Sequence, residues 1–353
     1  RLTRRSLEAL IDHPSPVGLV TKGPMVVRDL DLLVELSRRT ACTVHMSVPT
    51  VDEDAWRARP FVSMSVCHVV PPMKFAEDAS ACLEAGVKGG MPILLLSAGQ
   101  AGATSPATLA RCVVQAVAEV LAGLVYVNAI KEGAPAIFGA WPFVSDLRTG
   151  AMSGGSGEQA VLMAACGQMA QFYNLPSGIA AGMTDSKIPD AQSGYEKGYT
   201  VTLAGHSGAN LVYESAGMHA SLLGCCLESY VIDNDMLGAI NRTVRGIEVN
   251  AETLSLGPIR DVCLDGPGHY LGHEQTLKRM QTDYLYPTVG DRENINNWIE
   301  QGSTDSIQRA HLKVKEILKT HFPKHWDEAT DEKIRGQFPV RLPRNRMQIP
   351  EIS

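Results

Sequence analysis

The sequence predicts an α/β fold, most simply a TIM-type (β/α)8 barrel, and three observations carry that prediction. Eight short apolar runs alternate with segments of helical periodicity along 353 residues, the pattern of a parallel sheet wrapped by helices. The central runs end in polar or acidic residues, and parallel α/β sheets bind ligands at that edge. Aromatic residues make up only 6% of the chain while Gly and Ala abound, which suits helices packed closely on a sheet.

The expected strands, in order, are 17–21, 42–48, 62–69, 92–97, 134–140, 177–183, 209–215 and 261–264. The expected helices between them are 27–40, 51–58, 74–88, 106–130, 156–173, 189–205 and 218–243. The helix at 189–205 has Pro189 near its start and Gly205 and Gly208 near its end, the usual asymmetry of helix termini. The crossover at 51–58 is short for a barrel helix. Beyond residue 300 a long polar helix is expected over Ile307–His321, followed by a Pro- and Arg-containing tail.

The net charge is −6 and no run of five basic residues occurs, so nucleic-acid binding has no electrostatic footprint. Eight cysteines without a CxxC pair suggest neither a disulfide framework nor a zinc ribbon, and point to a reducing cytoplasm. The longest apolar stretch, Ala116–Ile130, is interrupted by Glu119 and is short for a bilayer span, so no membrane role is expected. The basic start RLTRR lacks the apolar core of a secretion signal.

Candidate site residues gather where the middle strands finish. Trp141 and Phe143 follow the fifth expected strand, Asp185 follows the sixth, Tyr213 and Glu214 end the seventh, and His219 lies just beyond. Aromatic faces with carboxylates nearby can hold an organic cation. For each residue a structural role stays open: Tyr213 as a wall residue, Glu214 as a helix cap. The loop Gly154-Gly155-Ser156-Gly157 precedes a helix, where free N–H groups would accept an anion, or where an ordinary barrel loop would stand. Cys263, His269 and His273 would in principle bind zinc, without an evident closed ligand set. The run Gly205–Ala209 resembles a nucleophile elbow but precedes its strand, where an elbow follows one.

From about Phe61 onward the segments PILLLSAGQAGATSPATLA, WPFVSDLRTGAMSGGSGEQA, GMTDSKIPDAQSGYEKG, GANLVYESAGM, VIDNDMLG, VRGIEV and GPGHYLGH resemble the trimethylamine/glycine-betaine corrinoid methyltransferase family. The resemblance implies a TIM-type barrel that moves a methyl group from a methylated amine to the Co(I) corrinoid (cobalamin) of a separate corrinoid protein. It also implies a homo-oligomer, and no metal bound directly by this chain. Trimethylamine members contain pyrrolysine, and none stands in this sequence; that departure favours a quaternary amine, glycine betaine first. Asp265, His269 and Gly272 do not match the DxHxxG corrinoid motif, since Asp stands four residues before His. The corrinoid is therefore expected on another chain.

Residues 1–60, through VGLVTKGPMVVRDLDLL and SVPTVDEDAWRA, resemble an internal segment of radical S-adenosylmethionine enzymes of the spore-photolyase type. The CxxxCxxC cluster motif of those enzymes is missing, so cluster chemistry is not carried over. The expected organisation is a βα segment over 1–60, with non-native first barrel strands, and a methyltransferase barrel with a helical tail over 61–353. A second functional reading follows from that organisation: an inactive fusion or fragment that at most binds a betaine or a partner protein.

Overall fold

A computed structural model describes residues 17–21, 42–46, 62–264, 266–321, 327–337, 339–340 and 343–344. The helices expected at 27–40 and 51–58, Asp265, and most of the C-terminal tail lie outside the described residues.

The strands are β1 (Val17–Thr21), β2 (Cys42–Met46), β3 (Val62–Val66), β4 (Val69–Val70), β5 (Lys74–Phe75), β6 (Ile93–Ser97), β7 (Gln100–Ala101), β8 (Ala136–Ala140), β9 (Phe143–Val144), β10 (Gly178–Ala180), β11 (Leu211–Tyr213), β12 (Met218–His219) and β13 (Gly224–Cys225). The helices are α1 (Glu77–Lys88), α2 (Leu109–Ile130), α3 (Gly157–Phe172), α4 (Ala191–His206), α5 (Leu227–Arg245), α6 (Leu256–Cys263), α7 (Glu274–Thr282), α8 (Ile295–Glu300), α9 (Ser306–Thr320) and α10 (Glu328–Gln337).

The heart of the fold is a parallel α/β sheet. β3 pairs with β6 and β6 with β8, all parallel, in the register Met64↔Ile93↔Ala136. A parallel bridge from Phe138 to Ser177 leads to β10, which pairs in parallel with β11. All five residues of β6 are buried, as expected for a strand covered on both faces. The Tyr213 hydroxyl, on β11, shares a hydrogen bond with Ser63 on β3. These strands are four apart in the parallel series β3-β6-β8-β10-β11, so that series curls until its first and last strands approach.

Two features depart from an eight-stranded ring. β1 runs parallel to β2 but antiparallel to β3, so the first strands do not continue the parallel series. The eighth expected strand, 261–264, is instead the end of helix α6. Leu256, Ile259 and Val262 recur every three residues there, a helical stripe, and Pro258 falls in the first turn, where proline is tolerated. Among the described residues no pairing joins β11 to β2, and closure into a full barrel is absent.

Sequence and structure agree on the helices that flank the site. Ser156 caps α3 by accepting the Gln159 N–H, and Asp190 caps α4 by accepting the Ser193 N–H at 2.9 Å. α5 begins later than expected, at Leu227, because the β12–β13 hairpin occupies 218–225. α2 is long and apolar enough to cross a membrane by length and composition. Here it packs on β6 and β8, and its Glu119 is buried, accepting the Ser97 hydroxyl and, at 2.8 Å, the Met73 N–H. Among the described residues, Cys67, Cys112, Cys166, Cys225, Cys226 and Cys263 are free thiols.

Candidate active site at the C-terminal edge of the sheet

Each parallel strand delivers its following residues to one rim, and three aromatic rings meet there. Trp141, directly after β8, lies 5.5 Å from Tyr213 at the end of β11 and 6.5 Å, edge to face, from Phe143 in β9. The Trp141 indole N–H donates to the Gly178 carbonyl on β10 at 2.6 Å. Gly178 has no side chain for a reason: a Cβ there would stand 2.5 Å from the Tyr213 ring. Trp141 and Phe143 are 6% and 7% exposed, whereas Tyr213 is half-buried, so Tyr213 offers the accessible face of the trio. Burial raises the Tyr213 pKa.

Glu214 follows Tyr213 directly and is the most unusual charge in the fold. Its backbone is left-handed, with φ of 64°. Its Oε2 is buried with no hydrogen-bond partner among the described residues. Burial alone pushes its pKa from 4.5 to about 7.

Asp185 belongs to a different arrangement. One carboxylate oxygen accepts the Gly154 N–H at 2.8 Å, the Gly155 N–H at 3.4 Å and the Ser221 hydroxyl, and the other accepts the Ser153 hydroxyl. The glycine loop does bind an anion through its N–H groups, and that anion is the chain's own carboxylate. Tyr199 adds a hydrogen bond from its hydroxyl to the Gly155 carbonyl. Ser156 is spent on capping α3, which leaves Gly157 as the first residue of the helix.

His219 is buried on β12 with both ring nitrogens engaged, by the Ser186 carbonyl at 3.2 Å and the Ser229 hydroxyl at 2.6 Å. It ties the segment after β10 to α5. Burial, and then the nearby Lys197 charge, lower its pKa below 6.5. A folded-state pKa below the unfolded one means that the unfolded chain takes up the proton more readily. The stability carried by neutral His219 is therefore present above pH 6.5 and is lost as pH falls. Urea unfolding at pH 7.5 and 5.5 should show this loss in the wild type and a smaller one in His219→Gln; equal losses would contradict it.

The structure thus brings Trp141, Phe143 and Tyr213 together, with Glu214 next to Tyr213 in the chain, and sets Asp185 and His219 in the scaffolding of the adjacent loops. Sequence reading missed the charges beneath them, Glu196, Lys197 and Asp233, all buried. The signal was present: α4 buries 193, 196, 197, 200, 201 and 204, a helical stripe in which two adjacent charges fall on the inward face. A cavity of about 660 Å³ lies elsewhere, lined by Arg242, Arg279 and Arg292 among others and by none of the expected site residues. Those guanidiniums donate to backbone carbonyls or to Glu252. Cys263 faces the Tyr270 hydroxyl and His273 caps α7; among the described residues no three His, Cys, Asp or Glu side chains converge as metal ligands.

A family model for trimethylamine methyltransferase matches residues 32–343. The chain is 32% identical over 285 residues to a glycine betaine methyltransferase of Desulfitobacterium hafniense, covering 80% of this chain and 58% of that protein. It is 36% identical over 271 residues to a trimethylamine methyltransferase of Methanosarcina barkeri, covering 76% and 54%. A trimethylamine methyltransferase of Desulfitobacterium hafniense is 34% identical over 284 residues, covering 80% and 56%. The chain therefore spans little more than half the length of these relatives. On the extent of the family match and on these identities, the chain belongs to the trimethylamine methyltransferase family.

Proposed function

We propose that this chain carries the amine-binding part of a methyltransferase that moves a methyl group from a quaternary amine, glycine betaine first, to a Co(I) corrinoid held by a separate protein. The observation that carries this reading is Glu214, whose buried Oε2 has no partner among the described residues and which directly follows Tyr213 of the Trp141–Tyr213 ring pair. A methylated cation supplies the positive charge that such a carboxyl lacks, while its methyl groups lie against aromatic faces. The named relatives act on glycine betaine or trimethylamine, which fits a methylated nitrogen in this position.

The reaction is an in-line displacement. The acceptor supplies an electron pair that forms the new bond to the methyl carbon, and the C–N pair leaves with nitrogen as a neutral tertiary amine. No proton is needed. The task left to the protein is orientation and exclusion of water. Trp141 and Phe143 form the rigid back of the site, Tyr213 and Glu214 hold the cation, and Asp185 keeps the glycine loop in shape. Aromatic faces and a carboxylate prefer the cation over the neutral product, which favours release.

The parallel strands are read as an arc of a TIM-type barrel, over 61–353, with residues 1–60 as a βα segment lacking cluster chemistry. A cytoplasmic homo-oligomer suits that reading. Because the chain spans about half of its relatives, a second reading has weight: it binds a betaine without turning it over. Purified protein, glycine betaine and Co(I) cobalamin decide between them. Loss of the Co(I) absorbance with stoichiometric dimethylglycine supports the transferase; saturable betaine binding without demethylation supports the second reading; neither one overturns both.

A further inference from the structure

Glu214 is held in a conformation that it would not choose. A non-glycine residue in the left-handed region is strained and persists only where its surroundings fix it. Upstream, the Tyr213 carbonyl accepts the Ala181 N–H at 3.0 Å, and the Ser215 hydroxyl returns to the Val212 carbonyl at 3.0 Å. Downstream, the Gly217 N–H donates to Asp233 Oδ2 at 2.7 Å, and the Gly217 carbonyl accepts the Cys226 N–H at 3.1 Å. Gly217 itself has φ of 77°, and a Cβ there would strike the Tyr230 ring. Residues 214–216 are thus stretched between two fixed points, one on the sheet and one on Asp233.

Asp233 does not act alone. Its Oδ2 also accepts Lys197 Nζ at 2.6 Å, with the two side chains 5% and 1% exposed. The neighbouring Glu196 accepts the Asp185 N–H at 2.8 Å and the Thr184 hydroxyl. Adjacent opposite charges on one helix, α4, therefore grip the loop after β10 and the loop after β11. A buried ion pair is a poor source of stability, because an apolar pair of similar volume often serves as well. Its use here is geometric.

We propose that the buried Lys197–Asp233 pair is a positioning device for the methylated-amine site: it fixes Asp233 so that its carboxylate anchors the Gly217 N–H, and that anchor holds the Glu214 carboxyl inward. The pair touches no reacting atom. Its relevance to catalysis rests on the proposed role of Glu214, but its effect on Glu214 does not. Lys197 and Asp233 both act on the neighbouring His219, as does Asp190, and burial alone acts on Glu214.

The test compares neutral replacements that keep or remove the anchor. Lys197→Met with Asp233→Asn keeps a side-chain carbonyl for Gly217; Lys197→Met with Asp233→Leu removes it. Protein labelled with carboxyl-13C glutamate is titrated by NMR, Glu214 being the resonance that Glu214→Gln deletes. The wild type and the Asn variant should titrate near 7, and the Leu variant about one pH unit or more lower, toward an ordinary carboxylate. Tetramethylammonium affinity should fall about tenfold in the Leu variant only. An unchanged Glu214 midpoint in a folded Leu variant overturns the proposal, as do equal shifts in both doubles. Should the Leu variant fail to fold, Lys197→Met with Asp233→Ala removes the anchor with less crowding and is read in the same way. If tetramethylammonium binds no variant while the midpoints shift as stated, the positioning role stands and the amine-site reading falls.

Discussion

Glu214→Gln should make the protein more stable at pH 8 and far weaker at binding a methylated cation. The carboxyl titrates at about 7 in the fold and at 4.5 when free. A raised acid pKa means that its contribution to stability is full below pH 4.5 and is lost as pH rises to about 7. At pH 8 the ionised carboxylate then costs on the order of 3 kcal/mol, which a neutral amide of the same shape avoids. Urea unfolding should show Gln ahead of Glu at pH 8 and the two alike at pH 4. Calorimetry with glycine betaine or tetramethylammonium should show the reverse order. Loss of a desolvated charge partner costs about 2 kcal/mol or more, at least roughly thirtyfold in affinity. The wild type should also bind tetramethylammonium more tightly as pH rises toward 7, by about tenfold per unit, and level off above, because binding selects the ionised carboxylate. A Gln variant that is less stable at pH 8, or that binds the cation as well as the wild type does, would remove Glu214 from the site.

The parallel core was legible because its periodicity and its helix boundaries are local properties. β6 is four apolar residues and a serine, all buried, and Ser156 and Asp190 cap α3 and α4 where their residue types suggest. The aromatic trio was legible too, since strand ends in a parallel sheet point their following residues to one rim. What could not be read was the destination of each polar group. Asp185 and Glu214 look equivalent as acids after strands, yet one is saturated by the 153–155 loop and Ser221, and the other has an unpartnered oxygen. That difference depends on contacts between residues more than thirty positions apart, as in the bond from Ser221 to Asp185. The antiparallel placement of β1 against β3 is likewise set by long-range pairing, to which an apolar run gives no direction. The error at 261–264 was of another kind, since a four-residue window is too short to separate a strand from a helical turn.

Removing the Tyr213 ring should weaken cation binding in a way that removing its hydroxyl does not. Tyr213 is the least buried ring of the trio, and its hydroxyl is already engaged with Ser63 across the sheet. Tyr213→Phe loses that bond, worth about 1 kcal/mol of stability, but keeps the π-face, so affinity for glycine betaine should stay within about threefold. Tyr213→Leu keeps an apolar surface and loses the quadrupole; a desolvated cation–π contact of about 2 kcal/mol corresponds to a roughly thirtyfold loss. Shape and charge separate with 3,3-dimethylbutanoate, which carries a neutral tert-butyl group in place of the trimethylammonium. The Leu variant should lose its preference for betaine over this analogue, since only the cation draws on the ring's negative face. Equal weakening toward both ligands would assign Tyr213 to packing alone, with Glu214 left as the only recognition of charge.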